Sequence, residues 1–583
     1  MPPPPDRCAL HAAGWPGGDP AGCRVEARSA WSRADRWGEG ASRFRPPAYR
    51  WWPVTGDRHP PTRGTSLHVA ASPPADDAPP GTATGGPPAV PDQPVLSPDD
   101  GGSGSQATRL VALAQERYRV VLGSDGRPYA VDQTGPMIAL SLRGRDGLRT
   151  RLATAYYDRF GSTPGGGALA DALTVLEGAA GTHDPEPVGL RVAATVDGGI
   201  VLDLGTADGR CVDVDAHGWT VRDRSPVLFR RTALTAPLPI PARPGDLAAL
   251  RRLVNVSDAG FRLLVGWLVA AFLPDIPHPI LVLTGEQGTA KSTAARLTVC
   301  LLDPSPAPLR SAPRDVRQWS VTASASWLVA LDNISTIPPW LSDTLCKAVT
   351  GDGMVDRALY TDDDVTVISY RRVLAMTAID AGELAGDLAE RILPLELTRI
   401  DPGRRRTDAE IAAAYDATRP AVLAALLDLL SQVLAALPAV RVAELPRMAD
   451  FARVLAALDT VTGWSTLADY TTAAVDLAAA VLAADPVADA VRRHLGTVGA
   501  WTGTAETLYA QLPAPDPRPR TWPKSPRGLS GALRRIAPAL RAQGVAVDFT
   551  RSRDIHRQRL IHLAYDSSPN QPSTPSRPST HPQ

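Results

Sequence analysis

A short run of glycine, lysine and hydroxyl residues carries the clearest chemical signal in the chain. It follows the apolar stretch Ile280–Thr284 and reads Gly285-Glu286-Gln287-Gly288-Thr289-Ala290-Lys291-Ser292-Thr293. In such a run the N–H groups of a glycine-rich turn open onto a helix N-terminus and form an anion site. The lysine reaches the β/γ-phosphates and the next hydroxyl binds Mg²⁺. The pattern predicts a strand, a phosphate-binding loop and a helix that hold ATP together with Mg²⁺.

The predicted nucleotide contacts include one unusual residue. We expect contacts from Gly285, Gln287, Gly288, Thr289, Ala290, Lys291, Ser292 and Thr293, with Ser292 also on the metal. Ala290 stands where the usual pattern has a second glycine; an alanine costs little if that position is helical, although it crowds the phosphate slightly. The alternative is a loop that only joins a strand to a helix, and the spacing of the lysine and the hydroxyl argues against it.

Three later segments supply the other groups that ATP hydrolysis needs. Asp332 ends an apolar run about forty residues after the loop, and we expect it to hold Mg²⁺ through water. Thr377 ends a second apolar run, where a sensor of the γ-phosphate is expected. Arg391 precedes a third run and would stabilise charge at a neighbouring subunit's γ-phosphate; the alternative is a surface arginine at a helix end. The predicted catalytic residues are Lys291, Asp332, Asn333, Thr377 and Arg391.

A basic and aromatic segment lies between Asp332 and Thr377. Lys347 precedes a glycine turn, and Arg357 and Tyr360 stand in the hairpin predicted after it. A cation and an aromatic face suit single-stranded DNA, through phosphate contact and base stacking. The alternative is a solvated hairpin without a ligand.

Length and composition bound the rest of the chain. Its 583 residues suggest three or four domains, and 44% of them are hydrophobic. The formal net charge is zero, so only the distribution of charge can indicate a partner. The five cysteines are scattered without a C-x-x-C pair, which predicts neither disulfides nor a zinc site.

The start of the chain lacks a signal pattern. The apolar stretches 263–273 and 422–437 are too short or interrupted to span a bilayer. We therefore expect a cytoplasmic protein without a membrane partner.

The order of patterns along the chain predicts the domains. We expect an α/β P-loop core preceded by a small α+β domain and followed by a winged helix-turn-helix, with disordered ends. Asp246–Leu273 is predicted to be helical, and an acidic pair such as Asp203 and Asp213 would be the only primase-like feature before it. The expected boundaries are 1–106 for the disordered extension, 107–245 for the α+β domain, 246–400 for the P-loop core, 401–485 for a helical region, 486–565 for the winged helix and 566–583 for the disordered tail.

The last ordered block is basic. Residues 486–565 contain 13 arginines and lysines against 5 acidic residues. A helix capped by Asp485, a second helix over 504–512, a basic helix after Trp522 and two strands resemble a winged helix-turn-helix. The basic helix would bury Leu529, Leu533, Ile536 and Leu540, and DNA contacts are expected from Lys524, Arg527, Arg534 and Arg535. The alternative is a module that docks on protein.

Four segments carry a resemblance to a known class of ATPase: Leu331–Ser335, Pro338–Asp343, Thr350–Gly353 and Leu359–Asp362. In this order the chain resembles superfamily 3 helicases of the AAA+ class, in particular poxvirus-type primase-helicase ATPases of phages and mobile elements, and is similar to actinobacterial ATP-binding proteins of such elements. The resemblance implies that Lys291 and Ser292 serve phosphate and Mg²⁺, that Asp332 binds metal, that Arg357 contacts DNA and that Arg391 is an arginine finger.

Three residues depart from the helicase pattern, namely Ala290, Asn333 and Thr377. Asn333 stands where helicases usually carry a second acid that activates water, and Thr377 stands where the sensor is usually Asn. An amide orients water but does not accept its proton at neutral pH, so slow hydrolysis is expected.

These observations predict a helicase-like ATPase that replicates or maintains a mobile element. The resemblance implies a hexameric ring with single-stranded DNA in its pore and duplex DNA at the winged helix. The rival hypothesis is a DNA-binding initiator or regulator that ATP switches without unwinding, which Asn333 favours. A primase in 107–240 is a distant third.

Overall fold

The computed structural model describes residues 104–144, 146–351, 353–357, 365–379, 386–519, 521–552 and 557–565. All of them belong to one compact unit, 94–583. The segments predicted to be disordered lie outside the described residues except at 104–106, where Gln106 already begins a helix.

Three helices and a small antiparallel sheet form the first described part. Its elements are α1 (Gln106–Arg117), β1 (Tyr118–Leu122), β2 (Pro128–Asp132), β3 (Leu140–Ser141), α2 (Leu148–Phe160) and α3 (Gly166–Ala180). β1 and β2 form an antiparallel hairpin around a turn in which Gly126 has φ 72°. Leu110, Leu152 and Leu173 are fully buried between the helices and the hairpin, so the apolar faces of all three helices meet in one core.

An antiparallel meander follows. Its elements are β4 (Val188–Gly189), β5 (Val192–Ala194), β6 (Ile200–Asp203), β7 (Cys211–Asp215), β8 (Gly218–Arg222) and β9 (Leu228–Phe229). The strands β5, β6, β7 and β8 are neighbours in that order, and β4 pairs with β9. Gly198 and Gly209, both with positive φ, stand in the connections between β5 and β6 and between β6 and β7.

A buried ion pair ties the meander to the next layer. Arg191 is fully buried and donates to Asp303 at 2.9 Å, while its other nitrogens donate to carbonyls that include that of Asp203. The second oxygen of Asp303 accepts the N–H groups of Trp327 and Leu328 at 2.9 and 3.1 Å. Removing one partner would leave an uncompensated buried charge, so the pair fixes the start of the strand that leads to Asp332.

The segment predicted as one helix over Asp246–Leu273 is two helices. They are α4 (Leu247–Arg251), capped by Asp246, and α5 (Asp258–Ala270), capped by Ser257. The residues between them do not continue the helix, and Val256 forms a bridge with Leu397. The single-helix prediction was therefore wrong, because an N-cap serine and pairing with a distant segment stop the first helix.

A five-stranded parallel sheet forms the centre of the fold. Its strands lie in the order β11-β12-β15-β10-β16, so β15 separates β10 from β12. Because β10, β12 and β15 are parallel, the residues that follow all three meet at one edge of the sheet. The elements of this part are β10 (Ile280–Thr284), α6 (Lys291–Leu302), β11 (Leu309–Arg310), α7 (Val316–Ala325), β12 (Leu328–Ile334), α8 (Pro339–Thr350), β13 (Gly353–Arg357), β14 (Val365–Ser369), β15 (Val373–Ala378), α9 (Gly386–Ala389) and β16 (Ile392–Glu396).

Three helices follow a short 3₁₀ helix at Pro402–Arg404: α10 (Asp408–Ala436), α11 (Ala449–Thr462) and α12 (Thr466–Ala484). A capping box of Thr407 and Glu410 starts α10. In the described part, α10 and α12 are long and apolar enough to cross a membrane. The expectation that 422–437 is too short or too interrupted to span a bilayer is therefore not met by the length and composition of α10. Both helices pack against the core, where α10 buries Leu423, Leu426 and Leu430.

The last described part combines three helices with a three-stranded antiparallel sheet. Its elements are α13 (Pro486–Val498), β17 (Ala500–Thr504), α14 (Ala505–Gln511), α15 (Pro526–Ala542), β18 (Val545–Arg551) and β19 (Arg559–Tyr565). The Asp485 cap is confirmed, since its carboxylate accepts the N–H of Val487 at 2.7 Å. The pattern did not predict β17, which joins the edge of β19 and ends at the residue that caps α14.

Candidate active site

The glycine-rich run forms a tight turn between β10 and α6. Gly285 has φ 136° and Gly288 has φ 82°, both in the region that favours glycine. A Cβ on Gly285 would lie 2.8 Å from the carbonyl oxygen of Leu397, so only glycine fits there. No side chain caps the start of α6. The first N–H groups of a 12-residue helix therefore open onto the turn, as an anion site requires.

Lys291 spans the loop from its C-terminal side. Its Nζ donates to the carbonyl oxygens of Gly285 and Glu286 at 2.6 and 2.9 Å. The neighbouring Thr289 is buried and its hydroxyl donates to the same Glu286 carbonyl at 2.9 Å. The ammonium thus lies over the concave side of the turn, with Gln287 and Gly288 exposed at the tip.

Ala290 differs from the expectation for its backbone. Its φ and ψ are 60° and 36°, which is left-handed rather than helical, and it is the residue before the first turn of α6. A left-handed non-glycine residue costs about 1–2 kcal/mol. The condition under which alanine would cost little, a helical backbone, is therefore not met, because the loop turns into the helix through the left-handed conformation that glycine adopts without cost.

One amide fixes the loop from behind. The Nδ2 atom of Asn255 donates to the carbonyl oxygens of Thr289 at 2.9 Å and of Thr398 at 2.5 Å. Asn255 lies in the break between α4 and α5, which sequence patterns assigned to a helix. Nothing in the sequence near it signals this role, since both of its acceptors are distant in the chain.

Asp332 is the centre of a hydrogen-bond network beside the loop. Its Oδ1 accepts from the Ser292 hydroxyl at 2.9 Å and from the Thr377 hydroxyl at 2.6 Å. The Thr377 hydroxyl in turn accepts the N–H of Asn333 at 2.8 Å, and Thr377 is only 2% exposed. Residues from α6, β12 and β15 therefore meet at one point, as their sequence positions predict.

The strand β12 is irregular where it carries these groups. Its pairing with β15 shifts register between Leu331 and Ile334, and Asn333 has φ 56°. Asn333 is exposed, whereas Asp332 is half-buried. Such an irregularity changes the direction of neighbouring side chains, and here it accompanies an exposed Asn333 side chain whose backbone N–H remains in the network.

The donor set suits Mg²⁺. Ser292 supplies a hydroxyl oxygen and Asp332 a carboxylate oxygen, which are the hard ligands that this ion prefers, with water and phosphate completing its shell. Across the described ranges no group of three His, Cys, Asp or Glu residues is placed to hold a metal by itself.

Arg391 lies at the N-terminal end of the parallel strands, whereas the loop lies at their C-terminal end. Its carbonyl oxygen accepts the N–H of Ile280 at 2.8 Å, at the start of β10, whereas the loop follows Thr284, which pairs with Glu396. Five residues of strand separate the two ends, roughly 15 Å at the usual rise. An arginine side chain does not cover that distance, so Arg391 is out of reach of phosphate bound to its own loop.

The predicted DNA contacts that the structure describes lie in two parts of the chain. Lys347 is exposed near the end of α8, and Arg357 ends β13 opposite Val365. Tyr360 and the side chain of Arg357 lie outside the described residues. Lys524, Arg527, Arg534 and Arg535 are all exposed, at the start of α15 or along it.

The basic helix α15 is built as its pattern predicts. Leu529, Leu533, Ile536 and Leu540 are buried, and Ser525 caps the helix through the N–H of Gly528 at 3.2 Å. The Arg534 guanidinium lies 4.0 Å from the centre of the Phe549 ring, so one of the predicted cations is held against the sheet.

The acidic pair considered for a primase is occupied by arginines. Both oxygens of Asp203 accept from Arg231, at 2.7 and 2.9 Å, and Asp203 is buried. Asp213 pairs with Arg222 at 2.6 Å. Two carboxylates engaged in this way are not a metal site, which removes the observation that supported primase chemistry.

Two family models match the chain. The model described as "Actinomycete integrative conjugative element replication protein" matches residues 247–480, and the model described as "AICE RepA C-terminal domain" matches residues 487–578. The matches together cover more than half of the chain. The protein belongs to the RepA family of replication proteins of actinomycete integrative conjugative elements. The predicted association with a mobile element is thereby confirmed.

Other comparisons add less. No curated protein matches the chain. The apo structure of the NrS-1 C-terminal region covers 79% of this chain and 100% of its own, with 11% identity and a TM-score of 0.33. A JCV helicase bound to a thiazolopyridine compound covers 39% of this chain and 67% of its own, with 11% identity and a TM-score of 0.18. Scores this low support no inference about function.

Proposed function

We propose that this replication protein is a cytoplasmic, helicase-like ATPase. One observation carries the proposal: Ser292, Asp332 and Thr377 are joined by hydrogen bonds of 2.9 and 2.6 Å directly beside an uncapped, glycine-rich anion site. A loop that only connects two elements does not explain why a hydroxyl and a carboxylate from distant strands lie together beside it. Phosphate and a divalent cation are the ligands that this combination suits.

Binding would reorganise Lys291. In the structure its ammonium is held by two loop carbonyls, and the β/γ-phosphates offer stronger, charge-assisted partners at nearly the same place. Ser292 and Asp332 would hold Mg²⁺, which neutralises charge on the phosphate oxygens. Thr377 keeps Asp332 oriented by donating to its Oδ1, because the same hydroxyl is already fixed by the Asn333 N–H.

Hydrolysis is expected to be slow and to need a second subunit. Asn333 is exposed beside the site and can orient a water but not deprotonate it. Arg391 cannot reach its own loop, so its contribution to transition-state charge has to be made to a neighbouring subunit. A ring supplies such a neighbour to every site, and a hexamer is the assembly that we propose.

The C-terminal module is proposed to bind duplex DNA. Its helix α15 exposes arginines on one face and buries leucines on the other, next to a β18–β19 hairpin that suits a wing. Single-stranded DNA would contact the region of Lys347, Arg357 and Tyr360 in the ring. Membrane contact is not part of the proposal.

A switch without unwinding is the second candidate. Asn333 favours it, because an amide stands at the position where helicases usually carry the acid that activates water. Asn333→Asp separates the two. An aspartate tolerates φ 56° better than a glutamate does, so the acid can be introduced without strain. A motor limited by proton removal gains turnover, whereas a switch does not.

The experiment that tests the proposal is ATP turnover of the full chain with and without single-stranded DNA. We expect slow turnover that DNA accelerates, and loss of nucleotide binding or turnover in Lys291→Ala. Lys524→Ala, compared in ATP binding and in turnover without DNA, is the matched control, because it removes an exposed lysine from the other module. Unchanged ATP affinity and rate in Lys291→Ala would refute the assignment of the site.

Duplex binding has its own test. Replacing Arg534 and Arg535 by Ala in the full chain should weaken duplex binding and flatten its salt dependence by up to about one unit per lost phosphate contact. Replacing Arg492 and Arg493, two exposed arginines of α13 in the same module, is the matched control for charge. Equal effects of both pairs would indicate that α15 has no special role.

A further inference from the structure

Arg405 lies next to the phosphate loop of its own chain. Its Nη2 atom is 4.0 Å from the point where a Cβ on Gly288 would stand. It follows the 3₁₀ helix with an extended backbone, and its N–H donates to the carbonyl oxygen of Pro402 at 3.4 Å. Its side chain is exposed, and within the described ranges the guanidinium has no acid or carbonyl partner.

The position of this arginine follows from the anchor of the loop. Asn255 donates to Thr289 of the phosphate loop and to Thr398, which begins the segment that carries Arg405. The Thr398 N–H donates back to the Asn255 carbonyl at 2.8 Å. The loop and the start of the arginine segment are therefore held to one side chain, so the proximity of the two backbone segments belongs to the fold.

The surroundings suit a polyanion. A groove of about 630 Å³ runs from the start of α6 to the segment after β16. Ala290 and Thr293 line it at the start of α6, and Arg399, Arg404 and Arg406 line it beside Asp401 in the segment after β16. Arg405 is next to these arginines in the chain but is not itself in the lining. Like charges that gather beside an uncapped helix N-terminus repel one another until an anion enters, and a guanidinium fork matches phosphate oxygens.

We propose that Arg405 contacts the β/γ end of ATP bound to its own chain. The proposal rests on the proposed function of the loop and adds to it a phosphate-binding residue in cis. It assigns different tasks to two arginines: Arg405 supports affinity within one chain, and Arg391 supports turnover in the neighbouring chain. Neither the length of the loop nor its glycines require such a residue, and the sequence near Arg405 shows only a run of arginines.

The test is displacement of a fluorescent ATP analogue from the full chain by ATP and by inorganic tripolyphosphate. Arg405→Ala should weaken both competitors by about tenfold, the usual size of one hydrogen bond to a charged group. Arg405→Lys should recover part of the loss. Arg441→Ala is the matched control, because it removes the same charge from an exposed arginine outside this groove, whose guanidinium donates to the carbonyl oxygens of Pro438 and Val440 at 2.8 and 2.9 Å.

Each outcome is decisive. A loss for both competitors in Arg405→Ala, with little change in Arg441→Ala, supports the phosphate contact. Unchanged affinity in Arg405→Ala, or an equal loss in both variants, overturns it. A loss for ATP without a loss for tripolyphosphate also overturns it, because the contact would then be to the nucleoside. If the wild-type chain binds no ATP analogue, the proposed function fails before this question arises.

Discussion

The Thr377 hydroxyl donates a 2.6 Å hydrogen bond to Oδ1 of Asp332, the same oxygen that accepts from Ser292. The threonine is 2% exposed, and its oxygen also accepts the Asn333 N–H. Because its single proton is used by Asp332, this hydroxyl cannot donate to a phosphate without breaking that bond. The relationship indicates a positioning role for Thr377, in contrast to the γ-phosphate sensor that the sequence predicts.

Thr377→Val tests this role. The change keeps the shape but removes the bond to Asp332 and leaves the Asn333 N–H without its acceptor, at a cost of about 1–2 kcal/mol in the free energy of unfolding. We expect a higher Mg²⁺ concentration for half-maximal ATP binding, measured by titration at fixed ATP. Thr377→Ser retains the hydroxyl and should restore the Mg²⁺ dependence. Equal Mg²⁺ dependence in the valine and serine variants would contradict the role.

Ala290→Gly should stabilise the protein and keep ATP binding intact. Glycine removes the cost of the left-handed conformation, while its larger freedom in the unfolded chain returns part of the gain, so we expect a net increase of up to about 1 kcal/mol in the free energy of unfolding. Chemical denaturation measures it. Ala294→Gly is the control, because that residue is buried within α6 and the change should destabilise by about 1 kcal/mol. A loss in both variants would show that the backbone at 290 is not strained.

His278 should make stability depend on pH. Burial lowers the pKa of His278 to about 4, and its Nε2 lies 3.0 Å from the Ala270 carbonyl oxygen. The unfolded state, with a pKa near 6.5, takes up a proton that the folded state refuses, so stability falls as the pH drops from about 6.5 to about 4, by at most about 3 kcal/mol.

The slope of that profile is measured by denaturation across this pH range. His278→Gln should flatten it, because glutamine does not titrate. His217→Gln, at an exposed residue of the β7–β8 turn, should leave it unchanged. A profile of His278→Gln that parallels the wild type would assign the slope to other groups.

Arg391→Ala should retain ATP affinity and lose most turnover, on the order of a thousandfold by analogy with other arginine fingers. The reason is geometric, because Arg391 lies at the start of the parallel strands and its own loop follows the end of β10. Mixing it with Lys291→Ala should restore part of the activity, because mixed interfaces can join an intact loop to an intact finger. Turnover measured against the mixing ratio tests this, together with light scattering. Full turnover in a protein that stays monomeric with ATP and DNA would exclude the ring.

Local patterns identified most of the elements that position the site. The strands before Gly285, Asp332 and Thr377 are buried runs, and parallel pairing of their ends brings those residues together. The break between α4 and α5 was missed because the bridge of Val256 to Leu397 and the bonds of Asn255 to Thr289 and Thr398 join residues that are far apart in the chain. The backbone conformations of Ala290 and Asn333 were missed for a related reason.

The left-handed conformation of Ala290 and the irregularity at Asn333 depend on how strand, loop and helix meet, which the residue types do not specify. The strand β17 was not predicted for the same reason. Its five residues contain two threonines and a glycine, and only pairing with β19 makes them a strand. The sequence also could not show that Arg405 lies near its own phosphate loop while Arg391 lies far from it. That difference depends on the order of the strands in the sheet.

The central claim is that Lys291 lies at the phosphates of bound ATP. The chain has three lysines, Lys291, Lys347 and Lys524, so an acyl-phosphate derivative of ATP, which acylates an amine beside the phosphates, can be mapped by mass spectrometry with little ambiguity. We predict acylation of Lys291 that excess ATP with Mg²⁺ suppresses, and little reaction at the exposed Lys347 and Lys524. Acylation of Lys347 and Lys524 without ATP-sensitive acylation of Lys291 would contradict the account.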